Sequence, residues 1–230
     1  MTTTIKFQLL RKLWKNEYVQ TAAVIGLIVL AVFGFWYGSQ LALNTQYPVL
    51  AVVSGSMCVP YDGACQGWIS LTHPFERTLH VGDLIVVQGV RPEDLNTNYP
   101  DSDIIVFHKP GNPEELIVHR IVAVEERNGV LYFFTKGDGN GVNKWPDIPT
   151  RSEYDPWNEG RGVPEDLVVG KVIMRIPYLG HVVLFMRNSF GLVLVVALVV
   201  LLIVIEFVFP LLRGKKAPAG TPEQPKQAQR

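Results

Sequence analysis

Residues 19 to 43 (VQTAAVIGLIVLAVFGFWYGSQLAL) carry no charged side chain. A run of this length exceeds the ~20 apolar residues that cross a hydrocarbon core, so it reads as an uncleaved membrane anchor or a removable export signal. The apolar core of an export signal usually spans about 7–15 residues. This run is much longer, which favours the anchor. Trp36 and Tyr37 fall toward its far end, where amphipathic rings settle at a bilayer interface. A second apolar run, residues 190 to 212, contains Glu206 as its one charge. That acid lies near a basic flank, so snorkelling to the interface is its simplest reading.

The formal net charge is zero, yet the charges are sorted along the chain. Lys6, Arg11, Lys12 and Lys15 precede the first run, and Arg213, Lys215, Lys216, Lys226 and Arg230 follow the second. Residues 44 to 187 hold 12 Lys and Arg against 18 Asp and Glu. Basic flanks stay cytoplasmic, which predicts a multi-pass plasma-membrane protein with both termini inside and the acidic middle outside. Five segments result: a basic N-terminus (1–18), a first span (19–43), an external domain (44–187), a second span (190–212) and a disordered tail (213–230) rich in Pro, Lys and Gln. An acidic middle also argues against nucleic acid as a partner.

Within the external domain the pattern is that of strands. Leu84 to Val87 and Ile104 to Phe107 are short apolar runs, each led by an acid, Asp83 and Asp103. Leu116 to Arg127 and Val130 to Lys136 flank Asn128-Gly129, a hairpin signal. Leu167 to Ile176 reads as a last strand, 91–101 and 145–166 as loops, and Tyr178 to Arg187 as a helix lying on the bilayer. About 130 residues of mostly antiparallel sheet suffice for one core.

Three stretches carry chemistry-bearing residues. Val49 to Val53 ends abruptly in Ser54-Gly55-Ser56-Met57, which sets a hydroxyl at a strand rim just past the first span. His119 sits inside the apolar strand 117–122, where an imidazole requires a partner. Thr135 to Asn140 (TKGDGN) ends a strand in an acid between two glycines. Beside the serines, Cys58 and Cys65 can form a disulfide outside the cytoplasm. In the chain-entropy model so short a loop is stabilised by about 2.5 kcal/mol. His73 and His80 follow, but the spacing matches no usual zinc pair, so neither metal nor cofactor is expected.

In order and in membrane context these stretches resemble type I signal peptidases, specifically the archaeal and endoplasmic-reticulum branch. The matching motifs are Ser54 to Met57, Gly82 to Ile85, Asp103 to Pro110, Ile117 to Ile121 and Thr135 to Asn140, within residues 47 to 175. The resemblance implies an antiparallel β catalytic domain, here flanked by two transmembrane helices. It also implies a serine endopeptidase removing signal peptides from exported precursors at the outer membrane face, with the bilayer and the secretion translocon as further partners. By position, Ser56 resembles the nucleophile and His119 the general base, where bacterial relatives carry lysine. The Ser56 N–H and the Ser54 hydroxyl would serve the oxyanion.

The third member departs from the pattern. The position about six residues past the Lys-Gly-Asp aspartate is Lys144, within an insertion. Asp155, in Asp155-Pro156-Trp157, is favoured, with Asp147 and Asp138 as alternatives; Asp138 resembles a loop acid that supports the site. The proline after Met57 comes one residue late, and residues 61–81 are inserted before Gly82. The rival reading is a catalytically inactive, membrane-tethered substrate-binding or assembly module of the same fold.

Overall fold

A computed structural model of the chain describes residues 17–59 and 78–205. Helix α1 (Glu17–Leu43) is followed by seven strands. These are β1 (Val49–Ala51), β2 (Leu84–Gln88), β3 (Ile104–Lys109), β4 (Asn112–Arg127), β5 (Val130–Lys136), β6 (Val163–Pro164) and β7 (Val168–Ile176). Two helices close the described chain, α2 (Leu179–Arg187) and α3 (Ser189–Ile203). The chain divides into two compact units, 1–182 and 183–230.

The first unit contains α1 and the sheet. At 1.5 Å per residue α1 is about 40 Å long, enough for a hydrocarbon core of ~30 Å. Its apolar side chains point outward all round: Leu27, Leu30 and Phe35 are each about 70% exposed. An apolar helix covered by nothing in water would be unstable. This one fits a membrane anchor. Its C-terminus is tied to the sheet, because Gly89 N–H donates to the Leu43 carbonyl at 2.8 Å.

All strand pairs are antiparallel, in the order β1-β2-β7-β3-β4-β5-β6. The β4–β5 turn pairs Arg127 with Val130. Asn128 and Gly129 both take positive φ, 54° and 80°, which is the tight hairpin turn their types favour. Strand β6 lies in a stretch expected to be loop. Pro164 cannot donate to a ladder, and β6 accordingly occupies a sheet edge. The other edge is β1.

The sheet is buried on both faces. Ile104 and Val106 join Val52, Met57, Ile85 and Val87 in one cluster. Ile105 and Phe107 join Ile121, Phe133 and Val163 in another. Successive strand residues face opposite sides, so β3 reads as an unbroken apolar run rather than an alternation. Full burial of each such side chain contributes about 1.5–3 kcal/mol. The acids leading β2 and β3 are both paired: Asp83 Oδ2 lies 2.6 Å from Arg175 Nε, and Lys171 Nζ donates to Asp103 at 3.1 Å.

The second unit is described as far as residue 205. Asn188 caps α3, its side chain accepting from the Phe190 N–H at 3.1 Å. Helix α3 covers 15 residues, and residues 206–212 of the expected second span, Glu206 included, lie outside the described residues.

Candidate active site

His119, Arg120 and Thr135 owe their directions to strand alternation. His119 pairs with Ile105 and Thr135 with Ile121, so both side chains share the face holding the Ile105–Phe107 cluster. Arg120 points to the opposite face, that of Ile104.

Beyond β1 the backbone continues paired, Val52 N–H donating to the Asp83 carbonyl and Gly82 N–H to the Val52 carbonyl, each at 2.9 Å. The chain then turns, with Cys58 N–H on the Gly55 carbonyl at 3.0 Å. Buried Met57 and Cys58 anchor that turn and leave Ser56 half-exposed. The loop after β5 braces it from the other side, since Gly139 N–H donates to the Ser56 carbonyl at 2.9 Å. A side chain at Gly139 would stand 2.0 Å from the Cys58 carbonyl oxygen, and one at Gly137 would stand 2.5 Å from the Ser56 carbonyl oxygen. Only glycine permits this approach.

Ser56 Oγ lies 3.0 Å from His119 Nε2, and His119 Nδ1 lies 2.6 Å from Asp155 Oδ2. A carboxylate only accepts, so Nδ1 carries the imidazole proton and Nε2 is left to accept from the serine hydroxyl. That is the tautomer a base toward Ser56 needs. The side chains of His119 and Asp155 are 9% and 11% exposed, which shields the pair from competing water. Ser54 is exposed, its Oγ 3.3 Å from Ser56 Oγ.

The other two acids stand apart from His119. Asp138 forms a two-pronged pair with Arg120, Nε to Oδ1 at 2.8 Å and Nη2 to Oδ2 at 2.7 Å. Arg120 Nη1 also donates to the Ser102 carbonyl at 2.8 Å. Burial pushes the Asp138 carboxyl above its ordinary range, with the guanidinium opposing. Asp147 is exposed, and its carbonyl accepts from Tyr99 Oη at 2.8 Å.

Two more charged side chains shape the loop between β5 and Asp155. Lys136 Nζ, its pKa lowered by burial, donates to the Asn140 and Asn143 carbonyls at 2.6 and 2.7 Å. Glu153 accepts from the backbone N–H groups of Val142, Asn143 and Thr150 at 2.8–2.9 Å. These donors, the Asn143 backbone foremost, bring its carboxyl down to about 2. The insertion is thus held at both ends, and it returns the chain to β5 where Asp155 N–H donates to the Thr135 carbonyl at 2.9 Å.

Cys58 is disulfide-bonded, while Cys65 lies outside the described residues, as does His73. His80 Nδ1 is 3.2 Å from Cys58 Sγ. Among the described residues no group of His, Cys, Asp and Glu has the arrangement of a metal site. The contacts of Thr135 with Asp155 and of Trp157 with Thr135 were not legible beforehand. The available signal was that a hydroxyl residue ends β5 and an indole follows Asp-Pro.

No family model matches the chain. It is 30% identical over 192 residues to the signal peptidase complex catalytic subunit sec11 of Dictyostelium discoideum, covering 81% of this chain and 89% of that protein. It is 28% identical over 180 residues to the signal peptidase complex catalytic subunit SEC11C of Homo sapiens, covering 78% of each. The SEC11 subunit of Lachancea thermotolerans is 28% identical over 159 residues, which are 68% of this chain and 76% of that one.

Proposed function

The chain belongs to the family of signal peptidase complex catalytic subunits, the Ser-His branch of type I signal peptidases, and from that premise we propose that Ser56, His119 and Asp155 carry its catalysis. The protein is a serine endopeptidase that removes signal peptides from precursor proteins. The observation that carries the residue assignment is the unbroken contact from Ser56 Oγ through the imidazole to Asp155.

In this reading His119 Nε2 takes the Ser56 proton as Oγ attacks the scissile carbonyl, and the imidazolium formed is stabilised by Asp155. The Ser56 N–H and the Ser54 hydroxyl face the developing oxyanion. His119 then returns the proton to the leaving amine, and water releases the acyl-enzyme by the same route reversed. A serine already aligned with its base favours hydrolysis over an inactive binding module. Asp147 and Asp138 are not needed for the step.

Among the described residues β1 is a sheet edge, and an extended cleavage segment would pair with its backbone while shallow pockets accept small side chains. Anchoring enzyme and precursor in one bilayer raises their effective concentration. Charge sorting supports an orientation with the sheet domain (44–187) on the outer membrane face and 1–18 and 213–230 cytoplasmic, and the plasma membrane is the proposed site. Residues 190–212 supply the second span, the Cys58–Cys65 bridge braces the serine turn, and the complex and translocon deliver the precursor. Ser56→Ala in the full chain should lose roughly a millionfold in kcat while its Tm stays that of the parent. Precursor cleavage by that variant at the parent rate refutes the assignment.

A further inference from the structure

Asp155 is held by more than its histidine. Thr135 Oγ1 donates to Asp155 Oδ2 at 2.8 Å, the same oxygen that takes His119 Nδ1–H. Trp157 Nε1 lies 3.0 Å from Thr135 Oγ1. The polarity of this chain of contacts is fixed by chemistry. An indole N–H only donates and a carboxylate only accepts. The threonine hydroxyl therefore takes the indole proton as acceptor and turns its own proton to Asp155.

The placement is built from three parts of the fold. Thr135 is fully buried at the end of β5, on the His119 face. Its backbone carbonyl accepts from Asp155 N–H at 2.9 Å while its hydroxyl donates to the carboxylate, so one residue grips Asp155 at both backbone and side chain. The Trp157 ring packs at 5.9 Å between centroids on Phe107 and 6.4 Å on His119. The indole is thereby wedged between the core and the imidazole, with its N–H aimed inward.

We infer that Thr135 and Trp157 are positioning residues for the hydrolytic reaction: the indole N–H orients the Thr135 hydroxyl, and that hydroxyl holds the Asp155 carboxylate in line with His119. Neither group touches the reacting atoms. The inference rests on Asp155 being the acid partner of His119. A carboxylate left with one donor instead of two can rotate, and the imidazole it holds then samples positions off the Ser56 line. Turnover drops, whereas substrate affinity, which does not depend on the acid, is unaffected.

The test uses the purified full-length protein in detergent with a precursor peptide carrying an Ala-x-Ala cleavage site. Thr135→Val, isosteric but without the hydroxyl, should lower kcat about ten- to a hundredfold, the usual worth of a hydrogen bond to a charged group, with KM within twofold. Thr135→Ser should recover kcat to within about threefold of the parent. Trp157→Phe, keeping the ring stack but not the donor, should lower kcat about three- to tenfold with KM unchanged. Full kcat in Thr135→Val, equal loss in the Val and Ser variants, or a change confined to KM overturns the inference. Should Thr135→Val not fold, Trp157→Phe decides, and parental kcat there overturns it. Asp155→Asn run alongside separates the premises: parental activity in it refutes the acid assignment itself.

Discussion

Asp138 and Asp155 each meet a basic side chain from β4, and the two bases are neighbours in sequence, His119 and Arg120. Because adjacent strand residues face opposite sides, one carboxylate is held on each face of the same strand. Asp138 meets a guanidinium that cannot release its proton at any useful pH. That pair is buried, two-pronged and tied to the Ser102 carbonyl, so it fixes backbone and exchanges nothing. Asp155 meets an imidazole whose far nitrogen faces a half-exposed hydroxyl, so its partner can gain and lose a proton. In the proposed assignment one face of β4 serves as architecture and the other as chemistry, set by which residue type opposes the acid.

Substitutions should separate the two faces. Asp155→Asn should leave Tm close to the parent and lower kcat by roughly 10⁴-fold, as loss of the orienting acid does in triads; a change below tenfold in precursor cleavage breaks the division. Asp138→Asn should do the opposite. Leaving Arg120 buried without its counter-charge costs about 3–5 kcal/mol, a Tm drop on the order of 10 °C for a domain of this size. An unchanged melting curve would show that Arg120 finds water or another acceptor.

Gly139→Ala tests the brace between the two regions. The added carbon meets the Cys58 carbonyl oxygen at 2.0 Å, so the serine turn must shift. A displacement near 1 Å at Ser56, the proposed nucleophile, should cost about a hundredfold in kcat. Parental kcat in that variant would show the turn to be more forgiving than its packing. Smallest is Glu153. Its folded pKa of about 2 lies below the ordinary glutamate value of ~4.3, so its contribution is present above that value and lost as pH falls toward 2. Glu153→Gln should flatten the Tm difference between pH 5 and pH 3 relative to the parent. An identical slope in both proteins would assign the acid sensitivity elsewhere.

Much of the scaffold was readable from local patterns. The charge-free run gave α1, the Asn128-Gly129 pair gave the hairpin, and the apolar runs gave β2, β3 and β7 within a residue or two. Strand β6 was not readable, because a two-residue edge pairing containing Pro164 leaves no periodicity. The approach of Asp155 to His119 across 36 residues was only favoured in advance, since the Lys144 position expected to carry an acid lacks one and the insertion hides where the chain returns.

Residue order by itself determined the membrane-length helix, the β character of the domain and the identity of the hydroxyl and imidazole, because each rests on composition and spacing within a dozen residues. Tertiary structure alone decided which acid meets which base. A carboxylate's partner depends on where a folded insertion brings it back to the sheet, and that return is fixed by Lys136 and Glu153 gripping the loop, by the Asp155 N–H on the Thr135 carbonyl, and by the pleat of β4 turning His119 and Arg120 to opposite sides.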